Sequence, residues 1–369
     1  MNIVYVEPYY AGSHKKWIDS YKKYSKHNVK IIHLPGNKWK WRMHGGAITL
    51  AHELLNIKEK IDLILCSDFL NLPVFKSICG YKINSIPIGM YFHENQLTYP
   101  WSPLDDDINL KRDLHYHYIN YVSSLVADFN LFNSNFHLSS YIESIKKYLK
   151  KMPDYNNFET VNTIFDKSKV LYIGCDLKKN KVNEEIKNDK PLILWNHRWE
   201  FDKNPKLFFN TLYKLKENNI DFELAILGES FEDYPSIFDE AKIKLSDNII
   251  HFGYCESSKE YFKWLSKADF LPVTSNQDFF GISIIEAVSL GTMPLLPNRL
   301  SYPEILDMRN NPEIFYNDNN DLLRKLKKYL INYKLLRKST SKYELSVNRF
   351  DWFNMVKVYD TTFQIYSNS

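Results

Sequence analysis

Two carboxylates, Asp278 and Glu286, stand eight positions apart in the stretch Ser275-Asn276-Gln277-Asp278-Phe279-Phe280-Gly281-Ile282-Ser283-Ile284-Ile285-Glu286-Ala287. The pattern puts Asp278 in a loop and Glu286 two turns into a helix opened by Phe280, Gly281, Ile282 and Ser283. The first N–H groups of a helix lack intrahelical acceptors and sit at its positive dipole end, so they can receive a phosphate. One segment is thus able to hold three parts of a nucleotide sugar: Asp278 accepts from sugar hydroxyls, the helix start takes the diphosphate, and Glu286 takes the ribose hydroxyls. An ordinary amphipathic helix with an acidic region before it would show the same residues.

Further polar groups follow apolar strands. Arg198 and Lys203 lie between the strand ending at Trp195 and a helix starting near Pro205, where fixed cations would stabilise the charge that builds on a departing diphosphate. His93, Glu94, Asn95 and Gln96 follow the strand 86–92, at the end where an α/β protein keeps its ligand-facing side chains. His93 is the candidate to meet the sugar or steer an acceptor. The early loop Glu7 to His14 offers Gly12, whose backbone can approach a phosphate closely.

The basic segment Lys38-Trp39-Lys40-Trp41-Arg42 alternates cations with π-faces, as recognition of single-stranded or loop RNA requires. His14 and Lys15 extend that candidate surface. Nine cations from Lys15 to Arg42 face one acid, Asp19, a local charge of +8; the whole chain carries +4, so the remainder is about −4. No D-x-D pair in a metal-binding context and no histidine cluster at ligand spacing stands out, so no metal is expected and the cations must stabilise the leaving group. Asp105-Asp106-Asp107 reads as a solvated loop.

Short β-branched and aromatic runs alternate with helix-length segments, the signature of parallel sheets. Strands are expected at 2–6, 30–34, 62–66, 86–92 and 129–133, with helices at 46–58 and 135–150. A second set begins at 191–195 and continues through 222–227, 248–252, 269–274 and 292–296. The reading is α/β, with a first domain at 1–175, a solvated linker at 176–190, a second domain at 191–350 and a closing helix at 351–369 able to return to the first domain. A ligand is expected in the cleft between the halves. At 369 residues the chain is long enough for two cores. Four scattered cysteines favour reduced thiols. The absence of a basic-then-apolar leader and of a long apolar run leads us to expect a soluble, cytoplasmic protein without membrane attachment. Oligomeric state is not legible.

Taken together, Val6 to His14, Leu34 to Arg42, Phe92 to Pro100, Asn196 to Glu200, Asp278 to Glu286 and Leu300-Ser301-Tyr302-Pro303-Glu304-Ile305 resemble the retaining two-domain GT-B glycosyltransferases of family 4, and more closely the tRNA-queuosine α-mannosyltransferase family. The first three motifs are particular to that family. The resemblance implies two Rossmann-like domains with parallel sheets facing a central cleft, and transfer of mannose from GDP-mannose to queuosine at the wobble position of tRNA-Asp with retention. It implies that Arg198 and Lys203 bind the diphosphate, Asp278 the mannose, and Glu286 the ribose, with His93 beside the sugar. Superfamily members usually carry Glu where this chain has Asp278, one methylene shorter. A related enzyme with a lipid or polysaccharide acceptor, and a binding module without turnover, are the competing readings.

Overall fold

The computed structural model describes residues 1–101, 105, 107, 114–178, 187–229 and 234–368. The chain divides into two compact units: Met1–Gly174 with Trp352–Ser369, and Cys175–Asp351. Each is built on a six-stranded, all-parallel sheet, because its central strands are apolar on both faces and the strands are joined by helices that cover them.

In the first unit the strands are β1 (Asn2–Tyr10), β2 (Asn28–Pro35), β3 (Leu63–Ser67), β4 (Ile88–Phe92), β5 (Phe129–Phe132) and β6 (Ser168–Val170), ordered β2-β1-β3-β4-β5-β6. Residues Leu63 to Ser67 and Ile88 to Phe92 are buried throughout, whereas β2 at the edge alternates. β1 runs four residues beyond the expected end, so Glu7 to Tyr10 are strand and Gly12 already begins the helix Gly12–Tyr24. The expected helix at 46–58 spans Trp39–Leu55 instead. Its first turn is the Trp/Lys segment, whose alternation had masked the helix. The short edge strand β6 had no period-2 signal long enough to detect.

In the second unit β7 (Leu192–Trp195), β8 (Glu223–Ile226), β9 (Ile249–Phe252), β10 (Phe270–Pro272), β11 (Met293–Pro297) and β12 (Phe315–Tyr316) are ordered β12-β11-β10-β7-β8-β9. This is the dinucleotide-binding strand order, with its reversal between β7 and β10. The two-residue strand β12 was not expected. Of the supposed linker, residues 179–186 lie outside the described residues. Its ends are held within the second unit: Leu177 is buried, Lys187 donates to the Ala268 carbonyl at 2.7 Å, and Arg337 donates to the Asn188 carbonyl at 2.7 Å.

The closing helix Trp352–Ser367 belongs to the first unit and completes its core. Trp352, Tyr359 and Phe363 are buried against Tyr21, and Trp17 stacks on Tyr91 with ring centroids 4.4 Å apart. The Tyr359 hydroxyl accepts from Trp17 Nε1 at 2.9 Å and donates to the Tyr172 carbonyl at 2.8 Å. Asp360 accepts from the Tyr21 hydroxyl at 3.0 Å and the Ser25 hydroxyl at 2.6 Å. A buried donor that loses its acceptor costs about 1–3 kcal/mol. Tyr359→Phe, which strands the Trp17 indole N–H, should therefore lower the unfolding transition of the first unit in calorimetry by several degrees; an unchanged transition would show that Trp17 needs no acceptor.

Candidate active site and nucleic-acid face

At the strand-order reversal in the second unit, the loops after β7 and β10 are tied together. Asn196 donates to the Ser283 carbonyl at 2.8 Å, and His197 is hydrogen-bonded to the Ser283 hydroxyl at 3.2 Å. Lys203 donates to the Gln277 carbonyl at 2.9 Å and pairs with Asp202 at 3.1 Å. The Asn276 N–H donates to the Asp202 carbonyl at 2.7 Å, and Arg299 spans the Thr274 and Ser275 carbonyls. Asn204, in the left-handed conformation that asparagine tolerates, caps the helix Pro205–Glu217 through Leu207 N–H. Arg198 and Lys203 are thus carried by one loop at the carboxyl end of β7. The Arg198 guanidinium lies 3.1 Å from Glu200 and is about half exposed. Burial pushes the Glu200 carboxyl up, while Arg198 and Lys203 both act on it in the opposite sense, so this carboxyl feels both cations.

The two carboxylates have different supports. Asp278 accepts from Phe280 N–H at 3.2 Å through one oxygen and from the Tyr302 hydroxyl at 3.2 Å through the other. Glu286 accepts from the Tyr261 hydroxyl at 3.1 Å. Burial, then the adjacent carboxylate, raises both phenols far above their ordinary range, so they remain donors. The helix begins at Ile282, so Glu286 sits little more than one turn in, not two. Gly281 ends the loop at φ +93°, where a side chain is strained, and no side chain caps the helix. Phe280, expected at the donor, is buried and its N–H already serves Asp278. The candidate anion receivers are therefore Gly281, Ile282 and Ser283. His197 is buried and depressed to about 3 by burial and by Lys203, so it is a neutral imidazole.

In the first unit the reversal falls between β1 and β3, and a buried polar cluster sits at their carboxyl ends. Glu7 is fully enclosed and accepts from Ser67 at 2.8 Å, Tyr9 N–H at 2.8 Å, Tyr5 at 3.1 Å and His14 Nδ1 at 3.0 Å. Burial alone would depress His14, but Glu7, joined by Asp68 and Glu94, outweighs it and raises the imidazole to about 9. The His14 ring packs on His93 at 4.2 Å. His93 is fixed by its N–H to Asp68 at 2.9 Å and by its carbonyl to Asn133 at 2.8 Å. Burial, then His14, drives His93 well below its ordinary value, so a charged histidine lies against a neutral one. The His93 Nε2 atom is buried with no hydrogen-bond partner among the described residues. Asp68 is raised by burial above the usual carboxylate range.

Several expected contacts take other roles. Asn95 is fully buried and accepts from Thr98 N–H at 2.9 Å, forming a turn instead of a surface for RNA. Gln96 is buried and donates to Glu94 at 3.0 Å. Trp39 packs with Phe69, Trp101 and Tyr116. Lys40 pairs with Asp105 at 2.7 Å and Asp107 at 2.6 Å, so those acids are not the solvated loop expected; Asp106 lies outside the described residues. Arg42 holds the Asn37 side chain at 2.7 Å and the Pro35 carbonyl at 3.1 Å. Lys38 and Trp41 are exposed, the latter by 65%. Lys15 is exposed and pairs with Asp19 at 2.5 Å. Gly36 brings the loops after β1 and β2 together, since a Cβ there would stand 2.1 Å from that of Ala11. Gly12, Lys15, Lys38 and Trp41 thus belong to neighbouring helix starts.

Ser67, Asp68 and Tyr261 are supporting residues that the sequence reading missed, whereas Glu7, Asn196 and Tyr302 stood in the motifs it quoted but were given no supporting role. Ser67-Asp68 carried a usable signal, polar residues at the end of an apolar strand; Tyr261 carried none. Protonated His14, held first by Glu7 and then by Asp68 and Glu94, should contribute roughly 3 kcal/mol for a shift from 6.5 to about 9. Because the folded value is raised, this stability is full below the unfolded value of 6.5 and is lost as pH rises through about 9. Glu7→Gln should accordingly unfold at clearly lower temperature than the parent at pH 6, with the gap closing by alkaline pH; a gap independent of pH would mean that His14 is not the titrating partner.

Residues 2–175 match the family described as tRNA-queuosine alpha-mannosyltransferase N-terminal, and residues 176–345 match glycosyl transferases group 1. Among solved structures, sucrose-phosphate synthase from Thermosynechococcus elongatus superposes with TM-score 0.72 at 13% identity over 100% of both chains. A glycosyltransferase from Rickettsia africae gives 0.67 at 17% identity, over 100% of this chain and 98% of its own. These establish the fold of two Rossmann-like domains. A tRNA-queuosine alpha-mannosyltransferase of Drosophila melanogaster is 32% identical over 365 residues, covering 96% of this chain and 93% of the relative. The chain is a glycosyltransferase and belongs to the tRNA-queuosine α-mannosyltransferase family.

Proposed function

We propose that this enzyme transfers mannose from GDP-mannose to queuosine at the wobble position of tRNA-Asp, with retention at the anomeric carbon. The observation that carries the reading is the 32% identity, across both halves, to a protein named for queuosine mannosylation. The chemistry of the second unit supports the donor assignment: two cations on the loop after β7, an uncapped helix start, and two carboxylates held by tyrosine hydroxyls. Arg198 offers a planar fork and Lys203 a point charge to the diphosphate. Glu286 takes the ribose hydroxyls and Asp278 the mannose. Because both Asp278 oxygens already accept a hydrogen bond, Tyr302 and Phe280 fix the shorter side chain in one orientation, with remaining lone pairs to meet a sugar hydroxyl.

The reaction we propose is a front-face displacement. The bond from the anomeric carbon to the diphosphate oxygen breaks as the bond to the acceptor oxygen forms on the same face, through an oxocarbenium-like state. The acceptor proton passes to the departing phosphate oxygen. Arg198 and Lys203 stabilise that oxygen as its charge grows, which acts on the transition state more than on the bound donor. His93, neutral and with no partner for Nε2 among the described residues, is able to accept from or donate to a hydroxyl without adding charge. Lys15, Lys38 and Trp41 supply phosphate contacts and a π-face for the tRNA. The enzyme is expected to act in the cytoplasm without a metal in this step; no helix among the described residues is long and apolar enough to cross a membrane.

Two measurements test this. Mass analysis of wobble nucleosides should show a hexose increment on queuosine in tRNA from cells that contain the protein, and none without it; queuosine unchanged in both would reject the acceptor. Arg198→Ala, at an exposed side chain, should fold normally and lower kcat about 10²–10³-fold. Near-normal turnover by that variant would remove Arg198 from the site.

A further inference from the structure

We propose that His251, Cys255 and Glu260 bind a thiophilic divalent cation, zinc by the chemistry of the donors, beside the donor half's sugar-nucleotide residues. His251 lies in β9, Cys255 is buried in the loop that follows, and Glu260 is in the first turn of the helix Ser258–Lys267. One donor atom from each falls within 4.8 Å of the others, and Cys255 Sγ stands 4.0 Å from His251 Nε2. Sulfur and nitrogen ligands of one tetrahedral zinc stand about 3.6 Å apart, so that pair needs to close by only a few tenths of an ångström. The set of one thiolate, one imidazole and one carboxylate suits zinc over the hard cations, which prefer oxygen donors. Three protein donors leave a fourth position for water.

The ordinary roles of these residues do not account for the convergence. Glu260 N–H donates to the Ser257 hydroxyl at 3.2 Å, which explains the backbone of a helix cap. It does not explain why a buried thiol and an imidazole gather at the carboxylate. His251 Nε2 lies 3.1 Å from the Gly253 carbonyl, a contact that cation binding would replace, with the ring proton moving to Nδ1. On binding, a sulfur–metal bond forms and the Cys255 thiol proton leaves to solvent. The next residue, Tyr261, donates to Glu286 at 3.1 Å, so a cation held by Glu260 would also fix the start of the helix that presents this tyrosine.

The test uses full-length protein freed of metal by chelation and titrated with cobalt(II). One cobalt per chain, with a thiolate-to-cobalt charge-transfer band that zinc displaces, is expected. Cys255→Ser should abolish the band, His251→Ala should weaken binding by at least about 10–100-fold, the loss seen when even an outer-sphere partner is removed, and Cys175→Ser should leave the band intact. In the unaltered chain, zinc should shield the peptide containing Cys255 from alkylation while Cys66, Cys79 and Cys175 react as before, which keeps the test valid should a variant fail to fold. Absence of the band, or its persistence in Cys255→Ser with no shielding of that peptide, overturns the proposal. Neither readout depends on glycosyl transfer, so a different donor or acceptor would leave the result unaffected.

Discussion

The second unit depends on the strand-order reversal between β7 and β10, where consecutive connections leave the sheet on opposite faces and their polar backbone must find partners. Asn196 and Lys203 supply them, bonding to the Ser283 and Gln277 carbonyls, while Asn276 N–H returns to Asp202. These bonds bring the loop bearing both candidate cations onto the loop and helix bearing both carboxylates. Arg299 closes the arrangement from β11's end by holding the Thr274 and Ser275 carbonyls. Apart from Lys203, which is both a tie and a candidate charge, the geometry is set by groups that need never touch a substrate, and the side chains that would touch it inherit their positions.

The first half solves a related problem with charge. Glu7 has no exposure, and an uncompensated carboxylate there would be strongly destabilising. Four donors meet it, one of them an imidazolium, and the attraction exceeds the penalty of burying His14. Burial first, and then the same charge on a ring whose centroid lies 4.2 Å from that of His93, keep the second histidine neutral. By contrast, Lys15 with Asp19 is an exposed i,i+4 pair of the kind that contributes little to folding, which leaves Lys15 available to exchange its partner for a phosphate.

The basic segment shows how composition overstates a surface. Its Lys40 charge is balanced by Asp105 and Asp107, and Trp39 is committed to an aromatic cluster, so part of the sequence that looked made for RNA holds its own helix in place. Lys38 and Trp41 remain at the surface, with Gly36 allowing their turn to lie against the start of the helix Gly12–Tyr24. A polynucleotide would meet separated cations and a single exposed indole rather than a continuous ladder.

Local sequence determined the two sets of buried strands, since runs such as Leu63 to Cys66 and Leu192 to Trp195 are too short and too uniformly apolar for surface helices. It also placed Arg198 and Lys203 after such a run, at the carboxyl end of a strand, and Asp278 in the loop before the helix that carries Glu286, although Glu286 sits about one turn in rather than two. It could not reveal what satisfies them. Tyr261 and Tyr302 are separated in the chain from the carboxylates they serve by 25 and 24 residues, and no periodicity links them. Tyr359 reaches Trp17 across 342 residues, and the protonation of His14 depends on a glutamate whose burial only the assembled sheet provides. Spacing encodes neighbours along an element; desolvation and long-range hydrogen bonding exist only once the elements have packed, and those two effects decided the charge state and orientation of the candidate site.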